Sequence, residues 1–154
     1  ALPALLALEA VAGAPPDWVR RLALIGGEAE AMTGALRLSK AETRRLAEVR
    51  RIAAGGAGPA AAAQEAGIGP ARSGLLVRLA RAGRPLPPDF GSEIARGAEA
   101  EFPLAARDLI AAGMRPGPAI GRALAAARAA WVASDFALDR AALLRHALEK
   151  GQEE

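Results

Sequence analysis

Alanine occupies 42 of the 154 positions, and this one fact removes most folds from consideration. Alanine is the strongest helix former and buries little surface per residue, so such a chain makes close-packed helices around a thin core. Strand formers are correspondingly scarce: five Val, six Ile, two Thr and five aromatic residues. Too few β-branched and aromatic side chains remain to build a sheet. The expected fold is all-α, an elongated array of about six to eight helices with no sheet.

Several function classes fall away at once. The chain has no cysteine, which excludes disulfides and thiolate metal sites. A single histidine, His146, cannot build a zinc site of the usual type and reads as a structural or surface residue on a terminal helix. Glu28 and Glu30, like Glu99 and Glu101, lie two apart, which turns helical carboxylates away from each other rather than onto one ion. No D-x-D, G-x-S-x-G or P-loop occurs, so no assembled active site is expected, and neither a metal nor a cofactor for this chain. No apolar run approaches the roughly 20 residues of a membrane span. Residues 1–12 are apolar but short, lack a basic start and hold Glu9, unlike a signal peptide. A cytoplasmic protein without a membrane partner is the expectation. The chain opens on Ala1 rather than methionine, as a processed chain or a piece of a longer one would.

Charge is modest in sum and uneven in place. Twenty basic residues against 17 acidic leave +3, and eighteen of the twenty are arginine. Ten of them fall between Arg37 and Arg84, opposed only by Glu42, Glu48 and Glu65, a local +7. Residues 1–36 and 85–154 each come to −2. A basic block between acidic flanks suggests a directed electrostatic surface, and the planar guanidinium suits phosphate.

The clearest helix start is Ser39-Lys40-Ala41-Glu42, a capping box opening a helix to about Ala54. At 100° per residue Leu46, Val49 and Ala53 share one face, Lys40, Arg44 and Arg51 cluster opposite, and Arg45 and Arg50 flank them. Before it, helices are expected over 2–11 and from Pro15-Pro16-Asp17 to Ile25, with a short turn of helix over 28–34. After it, a short helix over 60–66 precedes one over 72–82, with Leu75, Leu76 and Leu79 inward and Arg72, Arg78 and Arg81 outward. Pro85, Pro87 and Pro88 break the chain, and a weak helix covers 92–99. A helix from Ala105 leads through Gly113, Pro116, Gly117 and Pro118 into one ending near Ala133, and the last helix runs over 138–149. Gly113 suits a left-handed helix end, Pro116 and Pro118 a first turn, and Gly117 and Gly121 leave one side bare for close approach. Asp108 is expected to brace this corner through backbone amides. A boundary near 84–102 is plausible, but the organisation expected is one elongated unit, with 1–36 a helical lead-in and 37–154 a helical tail region.

Two stretches resemble the C-terminal part of the bacterial CCA-adding enzymes and poly(A) polymerases, the tRNA nucleotidyltransferases. The first is Leu36-Arg37-Leu38-Ser39 with Ala41-Glu42 and Arg45-Leu46. The second, more specific, is Asp108-Leu109, Gly113, Gly117-Pro118, Gly121 and Leu124, with Phe102-Pro103-Leu104 before it and Asp135-Phe136 and Asp139-Arg140 after. Ala106 stands where that pattern has glycine, and residues 55–102 do not align. The resemblance implies the RNA-holding body and tail of such an enzyme, without its catalytic head. It implies structured RNA, tRNA above all, as the partner, held by backbone and shape. Mg2+ and nucleoside triphosphates would belong to the head, as would the choice between CCA and poly(A) addition. The candidate phosphate contacts are Lys40, Arg44, Arg51, Arg45, Arg72 and Arg78.

Two other readings stand beside this one. Gly117 and Gly121, four apart, could seat a neighbouring helix or a second subunit, making the chain an interaction module or a homodimer. Residues 113–118 also resemble a helix-hairpin-helix corner offering amides to DNA phosphate, although the glycine spacing is longer than usual for one.

Overall fold

The N-terminal helix α1 (Leu2–Val11) has Pro3 in its first turn, where a missing N–H costs nothing. α2 (Trp18–Ile25) is capped by the Asp17 carboxylate, which accepts the Val19 amide at 2.9 Å. A computed structural model describes residues 1–26 and 35–152 of the chain, so the turn expected over 28–34 and the pair Glu28–Glu30 lie outside the described residues. The following helices are α3 (Lys40–Ala54), α4 (Pro59–Ala66), α5 (Ile68–Ala82), α6 (Phe90–Glu99), α7 (Ala106–Ala111), α8 (Pro118–Ala133) and α9 (Arg140–Gln152). The fold is all-α: nine helices and no strand among the described residues, one helix more than the upper expectation. α5 begins a turn earlier than expected because Pro70 falls in its first turn, where a proline is tolerated.

The chain divides into two compact units, residues 1–99 and 100–154. Position 37 therefore separates no cores: α2 and α3 belong to one unit, and their Val19, Ala23, Leu46 and Val49 share one cluster. That cluster adds Leu5 from α1, Leu75, Leu76 and Val77 from α5, and Phe90 and Ile94 from α6. With so much alanine, the helices must come very near each other to exclude water. The α4–α6 pair shows how: a Cβ added at Gly97 would stand 1.9 Å from the Ala60 carbonyl oxygen. Where α5 crosses α3, a Cβ at Gly74 would fall 2.5 Å from the Ile52 Cβ.

Charges enter this core as well. Arg20 is 3% exposed and Glu9 5%. Arg20 donates to Glu9 at 2.8 Å and reaches Ser73 of α5 at 3.5 Å, while Arg21 donates to the other Glu9 oxygen at 3.2 Å. Burying one ion without its partner costs several kcal/mol, and here the charges meet one another across α1, α2 and α5.

In the second unit Leu109 of α7, Ile120, Ala123, Ala127 and Trp131 of α8, and Leu143 and Ala147 of α9 form the core. Phe102 and Phe136 flank Trp131 with ring centroids at 5.5 and 4.8 Å, and the Arg128 guanidinium lies 4.7 Å over the Phe102 ring. His146 is half-buried on α9.

Candidate nucleic-acid interface

The capped start of α3 is where the basic block meets solvent. The Ser39 hydroxyl accepts the Glu42 amide at 3.3 Å, and the Glu42 carboxylate accepts the Ser39 amide at 2.8 Å. The Ser39 hydroxyl, then the Ser39 amide, hold the Glu42 carboxyl below the usual carboxylate range. Lys40 and Arg44, one turn apart on the same face, are exposed and bear no ion pair or side-chain hydrogen bond. Exposed Arg37, just before the cap at φ +50°, is likewise unpaired. Three cations thus stand at one end of α3; of the carboxylates on this helix, Glu42 is committed to the cap and Glu48, one turn after Arg44, to Arg51.

The other expected contacts are engaged inside the chain. Arg51 continues the Lys40–Arg44 face, but it pairs with Glu48 at 2.8 Å and Glu65 at 3.1 Å. Its hydrogen bond to Glu48 drives the guanidinium pKa further up, and the same bond pulls the Glu48 carboxyl down. Arg45 pairs with Asp17, fastening α3 to the start of α2. Arg78 donates to the Ile52 and Ala57 carbonyl oxygens, at 2.6 Å for Ala57, and burial lowers its pKa. Arg81 donates to the Ala23 oxygen at 2.6 Å. The last carbonyls of α2 and α3 have no helical partner, and these two α5 arginines serve as their caps. Arg72 is half-buried and Arg84 exposed, both unpaired. Lys40 and Arg44 are therefore brought together, while Arg45, Arg51, Arg72 and Arg78 are spread over other tasks or other places.

The glycine-rich corner is built otherwise. Asp108 accepts the Ala105 amide at 2.7 Å through one carboxylate oxygen and the Arg140 guanidinium at 2.6 Å through the other. The Ala105 amide, then Arg140, hold its carboxyl below the usual range. At the end of α7, Gly113 takes φ +98°, and the Gly113 and Met114 amides donate to Ile110 and Leu109 oxygens at 2.9 and 3.0 Å. This is a Schellman end, which wants glycine at that position. Pro118 is the first residue of α8 and Gly117 its cap. Among the described residues nothing lies within 4 Å of a Cβ placed at Gly117 or Gly121, so neither glycine makes there the close approach expected of it.

The buried Glu9–Arg20 network and the free Arg37 and Arg84 were not among the residues singled out from sequence. No local pattern marks them, because their partners, or lack of partners, are set by other helices. Among the described residues no three metal-ligating side chains converge, and no helix is long and apolar enough to cross a membrane. What fold and site define is an all-α protein with a cationic helix start. Comparison of the chain with protein-family models, curated proteins and solved structures yields no match.

Proposed function

We propose that this chain binds structured RNA through phosphate contacts, as the non-catalytic RNA-holding part of a tRNA nucleotidyltransferase-type protein whose catalytic head lies elsewhere. The observation that carries the reading is the trio Arg37, Lys40 and Arg44, exposed and unpaired at the capped start of α3. Like charges one turn apart repel, so a face that gathers them without counter-ions gains from an anionic ligand. Arg37, Lys40 and Arg44 offer charge and no aromatic face, which favours backbone and shape over base stacking as the means of recognition at this site. The parentage rests on the Leu36–Leu46 and Asp108–Leu124 motifs alone.

The test is competition between folded tRNA and duplex DNA of equal charge for the labelled chain at low salt. A preference for tRNA that is lost in a Lys40→Ala/Arg44→Ala variant of unchanged helicity supports the proposal. Preference for the duplex would favour the helix-hairpin-helix reading, and absence of salt-sensitive binding to either would end both.

A further inference from the structure

Six side chains carry an aliphatic hydroxyl: Thr33, outside the described residues, and Ser39, Thr43, Ser73, Ser92 and Ser134. Ser73 is 3% exposed, and half-buried Ser134 donates to the Trp131 oxygen at 2.8 Å and accepts the Leu138 amide at 3.3 Å. Thr43 is half-buried inside α3 and donates to the Ser39 carbonyl oxygen at 3.0 Å. Ser92 is exposed but lies within α6, between Asp89 and Glu93. Ser39 alone of these five is exposed on extended backbone outside a helix, at φ −64° and ψ 161°. It also has exposed, unpaired cations on both sides, Arg37 two residues before it and Lys40 and Arg44 after it.

We propose that Ser39 is a phosphorylation site, and that its phosphate docks on Arg37, Lys40 and Arg44 and closes the RNA interface. The step needs a nucleoside triphosphate and a serine kinase that takes basic residues on both sides of its target. The Ser39 Oγ bonds to the γ-phosphorus, and the bond from that phosphorus to the β–γ bridging oxygen breaks. The nucleoside diphosphate leaves, and the hydroxyl proton passes to the kinase's base. Phosphoserine brings about −1.5 to −2 charges at neutral pH and three acceptor oxygens, and it stabilises at a helix N-terminus or opposite an arginine cluster. Position 39 offers both. It caps the 15-residue α3, and the Cα–Cβ bonds of a helix tilt towards its N-terminus, which leans Lys40 and Arg44 to the cap. Glu42 opposes the change, because its carboxylate accepts the Ser39 hydroxyl at 2.7 Å. Half-exposed in the first turn, it swings out to water, and the phosphate takes over the Glu42 amide that the hydroxyl had met. Three cations without a counter-ion then gain one, which leaves about one positive charge for RNA. The switch rests on the RNA reading above; the site itself does not.

The test treats the whole chain with such a kinase and ATP, maps the product by mass spectrometry, and compares melting and tRNA binding before and after. Expected are one phosphate at Ser39, none in Ser39→Asn, which keeps a capping oxygen, and a higher melting temperature. Lys40→Ala/Arg44→Ala should remove that rise, and tRNA affinity at low salt should fall about tenfold or more on phosphorylation. No phosphate, or phosphate at Ser92 or Thr43 instead, overturns the proposal. So does a melting temperature that falls or does not move, since the phosphate would then have no cationic seat. A tRNA affinity that the phosphate leaves unchanged overturns the switch. A chain that binds no tRNA in either state overturns the RNA reading and the switch with it, while mapping and melting still decide the site.

Discussion

Asp108 shows how one carboxylate can decide a corner. Its two oxygens serve different purposes: one satisfies the Ala105 amide that α7 leaves without a helical partner, the other holds Arg140 at the start of α9. Asp108→Ala removes both and should lower the thermal midpoint, with Asp108→Asn retaining part of the loss because its amide oxygen can still accept from Ala105. Because its folded-state pKa is depressed, the folded state takes up this proton less readily than the unfolded chain. The contribution is therefore complete above the unfolded aspartate pKa, about 3.9, and disappears as pH falls through the lower folded value. The gap between the thermal melts of wild type and Asp108→Ala should be full at neutrality and begin to close only as pH falls below about 4; an equal gap at all pH values would mean the carboxylate charge is irrelevant. Arg78 makes the complementary case for a cation. Arg78→Met leaves the part-buried Ile52 oxygen without its donor, while water can reach the exposed Ala57 oxygen, and an unmet acceptor at Ile52 costs up to about 1–3 kcal/mol. Chemical denaturation should find that loss in the absence of RNA. If stability is unchanged and only RNA affinity drops, the capping role assigned to Arg78 is wrong.

At the scale of the helix, the glycines divide by what stands opposite them. Gly97→Ala would drive a Cβ into the Ala60 carbonyl of α4, and two backbones must then separate. Overpacking of this kind costs about 1–3 kcal/mol and more where backbone is the obstacle. Gly121→Ala, inside α8 with open space around it, should instead stabilise by about 0.5–1 kcal/mol through helix propensity. Denaturation midpoints moving in opposite directions is the expected pair of results, and a destabilised Gly121→Ala would reveal a neighbour at that face. This contrast also marks where sequence reading stops. Gly117 and Gly121 catch the eye because they are four apart, yet the close approaches fall at Gly97 and Gly74, which stand in no such pattern. Features made within a few residues were legible: the Ser39–Glu42 box, the Gly113 helix end and Pro118 opening α8. Each depends only on near neighbours, which the sequence lists in order. Ile52 was passed over for the core face of α3 because its burial is supplied by α5, where Gly74 makes room for it.

At the scale of the molecule, the local excess of +7 between Arg37 and Arg84 overstates what a ligand can meet. Composition counts charges without asking which are already answered. Arg45 and Arg51 meet carboxylates, and Arg78 and Arg81 meet helix-end carbonyls. Their partners lie up to 58 residues away, as with Arg81 and Ala23, so no window of sequence could have set them aside. Of the unpaired cations in this block, Arg37, Lys40 and Arg44 gather at the start of α3, apart in sequence from Arg72 and Arg84, and an interface confined to that trio has a quantitative signature. Each phosphate neutralised contributes roughly 0.7–0.9 to the slope of log affinity against log salt. Three contacts predict a slope of about −2 to −3, whereas a surface using the whole basic block would approach −7 or steeper. Removing both Lys40 and Arg44 should flatten the slope by roughly 1.4–1.8 and weaken binding without shifting the melting temperature. Titrations of labelled tRNA over a salt series measure this directly. A slope near −7, or one unmoved by the double substitution, would show that phosphates are met by arginines the fold has assigned to its own helices, and the α3 start would lose its claim to the interface.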